Sequence, residues 1–167
     1  MTPGPTGRRL LRAWLLLAVI DFLWAVALSL SYGRPALSAF RGVATVALAP
    51  AWMPEIAPSA MLGVVLHFGV AFTWAAVYLV LQHRSPWLAR ASTTRSGQAA
   101  IAVVYGPFIW VVMSTMVIPM MTGDAVILST RWVIQSIGHV FFVGMPVVLG
   151  AGRHPAATET PGTSIPA

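Results

Sequence analysis

Four stretches of about 20 mostly apolar residues constrain this chain more than any other feature, because that is the length a helix needs to cross the hydrocarbon core of a bilayer. They run from Ala13 to Ser31, Ala60 to Leu81, Gln98 to Met120 and Trp132 to Gly150. A backbone surrounded by lipid must satisfy its own polar groups, and a single run of this length does so as a helix. The expected fold is therefore all-α, an integral membrane four-helix bundle over residues 13–150. Composition agrees: 8% of the 167 residues are charged, against about 25% in a soluble domain. The lipid bilayer is the first partner this implies, and a second copy of the chain or a membrane complex is the next.

The basic residues are all arginine, and their placement orients the spans. Arg8, Arg9 and Arg12 precede the first span; Arg84, Arg90 and Arg95 lie between the second and third; Arg153 follows the fourth. The other side carries Arg34, Arg41 and Arg131, offset by Glu55 and Asp124. The positive-inside rule then puts residues 1–12, the middle loop and residues 151–167 in the cytoplasm. Trp14 and Trp87 are expected at the inner interface, Trp52 and Trp132 at the outer one. Arginine without lysine, among abundant Ala, Gly and Pro, fits a GC-rich bacterial genome, so the membrane is taken to be the bacterial inner membrane. The tails, Met1 to Gly7 and Gly152 to Ala167, are rich in Pro, Thr and Gly and are expected to be disordered. Arg8-Arg9 followed by an apolar run and Ala25-Val26-Ala27 also has the outline of a signal peptide. Against that reading, Asp21 interrupts the run and the run is long for such a peptide.

Between the first two spans, Phe40, Val43, Ala44, Ala47 and Leu48 recur at helical spacing, with Ser38, Arg41 and Thr45 elsewhere on the wheel. This predicts a short outer amphipathic or re-entrant helix, ended by Pro50, Pro54 and Pro58.

Three spans each carry one ionisable residue near the middle: Asp21, His67 and His139. A central Asp costs roughly 2.5–3.5 kcal/mol on insertion scales, so such groups need partners. At about 1.5 Å of rise per residue the three share a slab roughly 7 Å thick. Arg131, Gln135 and His139 are spaced four apart, so one helix face leads from the outer interface to that level. Together they outline an outer access path ending at an Asp21/His67/His139 cluster, with Thr73 and Tyr105 as further polar groups in the inner half. Asp21 is then the proton carrier and the two imidazoles its relay. The expected function is movement of protons or a small solute; the alternative is a non-transporting structural or accessory subunit whose polar groups specify helix packing.

Metal readings are weaker. His67 and His139 are the pair that could hold a b-type haem, with Gly63, Gly69 and Gly106 offering room for the macrocycle. Met113, Met116 and Met120, one face of the third span, could join a histidine around copper. Neither pattern is specific, so no cofactor or resident metal is expected. Pro107 and Pro146 are expected to interrupt their spans. Ala60, Gly63, Gly69, Gly138 and Gly144 mark close helix approaches. There is no cysteine, phosphate loop, Gly-x-Ser-x-Gly or His-Glu-x-x-His, so nothing recommends an enzyme. The arginines sit at span ends rather than in a stripe, which does not suit nucleic acid.

Four local patterns recur together: Asp21-Phe22; Leu62-Gly63 through Leu66-His67-Phe68; Tyr105-Gly106 with Val112-Met113 and Ile118-Pro119; and His139-Val140-Phe141-Phe142-Val143-Gly144-Met145-Pro146. They resemble a group of small uncharacterised bacterial four-span inner-membrane proteins. The resemblance covers most of the membrane part and neither tail. It implies the fold and the location, and no activity.

Overall fold

The computed structural model describes residues 4–47 and 56–152. Their regular structure is entirely helical: α1 (Pro5–Ser31), α2 (Ser38–Ala47), α3 (Ile56–Arg84), α4 (Pro86–Ala91), α5 (Arg95–Thr122) and α6 (Thr130–Ala151). Helices α1, α3, α5 and α6 are each long and apolar enough to cross a membrane. The chain is an all-α, four-helix bundle with two short helices added, one at each end. Leu48, Pro50, Trp52, Pro54 and Glu55, and in the tail Arg153 and Glu159, lie outside the described residues.

The helices overrun the apolar stretches, and local chemistry explains where they stop. Proline needs no N–H at a first helical position, so α1 begins at Pro5. Residues Pro5 to Arg12, expected as a tail, are two further turns of helix. Thr94 caps α5 by accepting from the Gly97 N–H at 3.1 Å. Ser129 caps α6 in the same way, accepting from the Trp132 N–H at 3.3 Å. Ser85 caps α4, accepting from Leu88 at 3.2 Å. Each satisfies a donor that the helix start leaves free.

Helix α1 packs on both α3 and α6, and α5 packs on α6. Helices α3 and α5 instead meet through aromatic side chains: the Tyr105 hydroxyl donates to the Trp74 carbonyl at 2.7 Å, and their rings lie edge to face at 6.3 Å. The buried core lies in the α4 half of the bundle, built from Ala13, Leu17, Ala75, Tyr78, Ala102 and Val147 with their neighbours.

Close backbone approaches fall largely where small residues predict them. A Cβ on Gly63 would collide with the Phe40 carbonyl, one on Gly144 with the Ala102 carbonyl, and one on Gly138 with the Trp24 ring. Ala60 is buried. Gly69 differs, since it faces open space. Gly106 and Gly150 are further contacts: a side chain there would strike the His139 carbonyl and the Ala13 backbone. The room that Gly63 and Gly106 offer on paper to a haem is therefore taken up by neighbouring helices.

Helix α2 folds back against α3 and buries Phe40 and Ala44. The Phe40 ring stacks on Phe22 at 4.7 Å and meets His67 edge-on at 5.3 Å. This is the re-entrant form of the predicted helix, reaching down to the level of the ionisable groups.

Of the two prolines expected to interrupt their spans, Pro146 accompanies a break in regular α-helix and Pro107 does not. Pro107 sits inside regular α-helix. The spans are instead widened by π-turns at Met113–Val117 and Val140–Gly144, each two residues before a proline, Pro119 and Pro146. A proline lacks the donor for the carbonyl four residues earlier, and a π-turn is one way a helix absorbs that loss. The first π-turn also splits the methionine face. Met113 turns inward, whereas Met116 and Met120 are exposed, at 55% and 82%.

Candidate binding cavity

In the α2 half the same four helices stand apart. The space between them is a cavity of about 540 Å³, walled on one side by α2. Asp124 and Arg131 lie at its rim, where Arg131 stacks over the Tyr32 ring at 5.4 Å. Asp21, His67 and His139 lie at its other end, with Gln135 on the wall between. A smaller extension of about 170 Å³ shares those three residues and reaches one turn deeper, to Leu17, Trp74 and Val143. Beyond it the core is closed by Tyr105, Tyr78 and Ala75, all buried. Among the described residues the bundle is therefore filled at the α4 end of the cavity.

The three ionisable groups are held differently. His67 places Nε2 3.0 Å from the Ala18 carbonyl. A carbonyl only accepts, so Nε2 carries a proton and donates. Its Nδ1 then faces Asp21 Oδ2 at 3.9 Å, inside ion-pair range but too long for a hydrogen bond. Among the described residues nothing donates a hydrogen bond to the Asp21 carboxylate, and its side chain is 22% exposed to the cavity. His139 is the mirror case. Its Nδ1 donates to the Gln135 carbonyl one turn earlier at 2.7 Å, which fixes the ring and leaves Nε2 on the cavity side without a partner among the described residues. Gln135 accepts from the Trp24 indole at 3.1 Å. The His139 ring lies 4.9 Å from that of Trp110, whose own N–H is buried and unpaired.

Thr73 and Tyr105 do not continue this path. Thr73 is exposed and bonds back to the Gly69 carbonyl of its own helix at 3.1 Å. The core face of α3 runs Ala71, Ala75, Tyr78, Gln82, four or three residues apart, and position 73 falls off it. Tyr105 is buried but engages its hydroxyl with Trp74, outside both cavities. The Trp14 indole donates to the Phe68 carbonyl at 2.9 Å, and its ring meets Phe72 at 5.6 Å.

The α4 end holds a polar network that was not expected from the sequence. Arg9 Nε donates to the Ala151 carbonyl at 2.7 Å, and its Nη2 donates to Gln82 Oε1. The Gln82 amide in turn donates to Ser92 Oγ at 2.8 Å, while Gln98 reaches the Ser92 carbonyl at 3.0 Å. An arginine on the last carbonyls of α6 meets the negative end of that helix. The network ties α1, α3, α6 and the α4–α5 connection together and closes that end of the bundle. A signal for it existed: Arg9, Ala13, Leu17 and Asp21 share one stripe of α1, at four-residue spacing.

The described residues contain no group of three or more His, Asp or Glu placed to hold a metal ion. No family model, curated protein or solved structure matches this chain.

Proposed function

We propose that this protein moves protons, or a small solute together with protons, across the bacterial cytoplasmic membrane, acting as a carrier and not as an enzyme. The observation that carries this reading is the cavity running from Asp124 and Arg131 down to Asp21. A carboxylate with no hydrogen bond inside a membrane is costly and functional by default, and here it lines a cavity. The positive-inside rule, applied to the arginines at the α4 end, puts that end in the cytoplasm and the cavity mouth outside. The resemblance to small bacterial four-span proteins supports the same location. In this arrangement Asp21 takes a proton delivered along the Arg131, Gln135, His139 face. His67 holds its Nδ1 lone pair toward the carboxyl group, where it favours the protonated acid as a hydrogen-bond donor. Release inward requires the closed half, including the Arg9–Gln82–Ser92 network, to open in turn. The arrangement described has the mouth open and the cytoplasmic end shut.

Proteoliposomes with an imposed pH gradient test this. Wild-type protein should dissipate the gradient above the rate of empty vesicles. Asp21→Asn should abolish the added flux while leaving helical content and melting behaviour intact. No flux from well-folded wild type would defeat the reading and favour an accessory subunit.

A further inference from the structure

The deep end of the cavity holds three acceptors that no donor reaches, although the unpaired Trp110 N–H lies on the same lining. Because His67 donates from Nε2 to Ala18, its Nδ1 offers a lone pair, and this points at the Asp21 carboxylate, itself an acceptor, across 3.9 Å. Because His139 donates from Nδ1 to Gln135, its Nε2 offers another lone pair on the same cavity. In the neutral rings these hydrogen bonds require, a carboxylate and two imidazole nitrogens line one cavity as acceptors, and no hydrogen bond from the described residues reaches them. Buried acceptors left in that state are costly, and the cost falls when a donor enters.

We infer that the cavity binds a primary ammonium ion carrying an apolar body. The –NH₃⁺ group brings N–H donors and a positive charge to the Asp21 carboxylate and the His67 Nδ1 that faces it across 3.9 Å, with His139 on the same cavity lining. A carboxylate or phosphate ligand would meet the Asp21 charge there and be repelled. The walls suit the rest of such a molecule. Trp24, Phe40 and Trp110 line the cavity as rings, and a cation beside aromatic faces gains further attraction. Met113 and Val70 supply adaptable apolar surface. The volume, about 540 Å³, is in the range of small-molecule sites. The rim carries Asp124 and Arg131, one charge of each sign, so entry is not barred to a cation. A metal ion would ask for three or more ligating groups, and the described residues do not gather them.

This rests on the cavity being the outward-facing site of the proposed carrier, but binding can be read without transport. The experiment is calorimetric titration of the full chain in nanodiscs, against empty nanodiscs, with three probes of one shape: 2-phenylethylammonium, its N,N,N-trimethyl analogue and 2-phenylethanol. The ammonium should bind saturably. The trimethyl cation, which keeps the charge and loses all three donors, should bind about tenfold more weakly or worse, as should the alcohol. Asp21→Asn should lower ammonium affinity by about the same factor or more. The probe series needs no variant, so misfolding of Asp21→Asn cannot blur the result. Equal affinity for all three probes, or heat no different from empty nanodiscs, overturns the inference. Proton flux with no ammonium binding leaves the carrier reading standing and removes this one. Ammonium binding with no flux does the reverse.

Discussion

In the α4 half of the bundle, Ala13, Ala102, Gly144 and Gly150 let helix backbones touch, and Arg9, Gln82 and Ser92 commit their polar groups to one another. In the α2 half, the same helices are held apart by Trp24, Phe40 and Trp110 around about 540 Å³ of space, and the polar groups face that space instead. The difference between the halves lies in side-chain size at the contact positions and in whether the charged and amide groups find partners. The Tyr78 hydroxyl of the closed half is also buried without one among the described residues. Small residues remove the space a ligand would need, and bulky rings on spread helices create it. Satisfied polar groups hold a structure shut; unsatisfied ones wait for something to bind. One bundle thus combines a closed end that specifies the fold with an open end suited to function.

The sharpest way to break this contrast is to add the same bulk to each half. Gly144→Val places a side chain against the Ala102 carbonyl, where α5 and α6 have no slack. It should destabilise the protein by about 3 kcal/mol or more, and much of it should be lost on purification. Ala25→Leu adds comparable bulk on the wall of the cavity. It should change the unfolding free energy in detergent by less than about 1 kcal/mol, because it fills space and overpacks nothing. Equal sensitivity at both sites would show that the cavity is not a real property of the fold.

A polar pair of substitutions sharpens the same point with a smaller effect. Gln82 is 1% exposed and bonds to both Arg9 and Ser92. Gln82→Leu leaves a guanidinium N–H without its acceptor and removes the donor to Ser92 Oγ, whose own bond to the Ala89 carbonyl remains. It should cost about 2–3 kcal/mol in thermal or denaturant unfolding. Asp21→Asn removes a charge that accepts no hydrogen bond from the described residues. Its unfolding free energy should stay within about 1 kcal/mol of wild type even as function is lost. A large loss of stability from Asp21→Asn would mean that the carboxylate is structural, and the two ends would no longer differ in kind.

The four spans were legible because the bilayer length requirement is severe, and few alternatives satisfy it. Rise per residue is fixed in a helix, so sequence position converts to height, and Asp21, His67 and His139 do line one cavity. Rotation around the axis was harder. Thr73 sits at a suitable depth but on the wrong face of α3, and only the line Ala71, Ala75, Tyr78, Gln82 shows it. The methionine face failed because the π-turn at Met113–Val117 adds a residue to one turn and rotates every later side chain of α5. Nothing short of placing Pro119 against its neighbours reveals that. Arg9 was hidden by company, since Arg8 and Arg12 carry the same charge and only the stripe through Ala13 and Leu17 distinguishes it. Gly150 and Gly106 went unnoticed as contacts because a glycine in an apolar helix does not announce which neighbour it admits.

The smallest effect tests whether the mouth of the cavity is held by defined bonds or only by bulk. The Trp132 indole donates to Ser114 Oγ at 3.0 Å, joining the start of α6 to the π-turn of α5, and its ring lies 6.3 Å from that of Trp110. Trp132→Phe keeps most of the ring contact and deletes the donor, so it should cost about 1 kcal/mol. Ser114→Ala removes the acceptor and should cost a similar amount. If one bond accounts for both losses, the double variant is no less stable than either single one. Strict additivity in denaturant unfolding would mean that the two side chains act separately. The spacing of α5 and α6 at the mouth would then be set by the aromatic rings alone, which is the arrangement already seen deeper in the cavity, where the Trp110 N–H has no partner and its ring simply stands between helices.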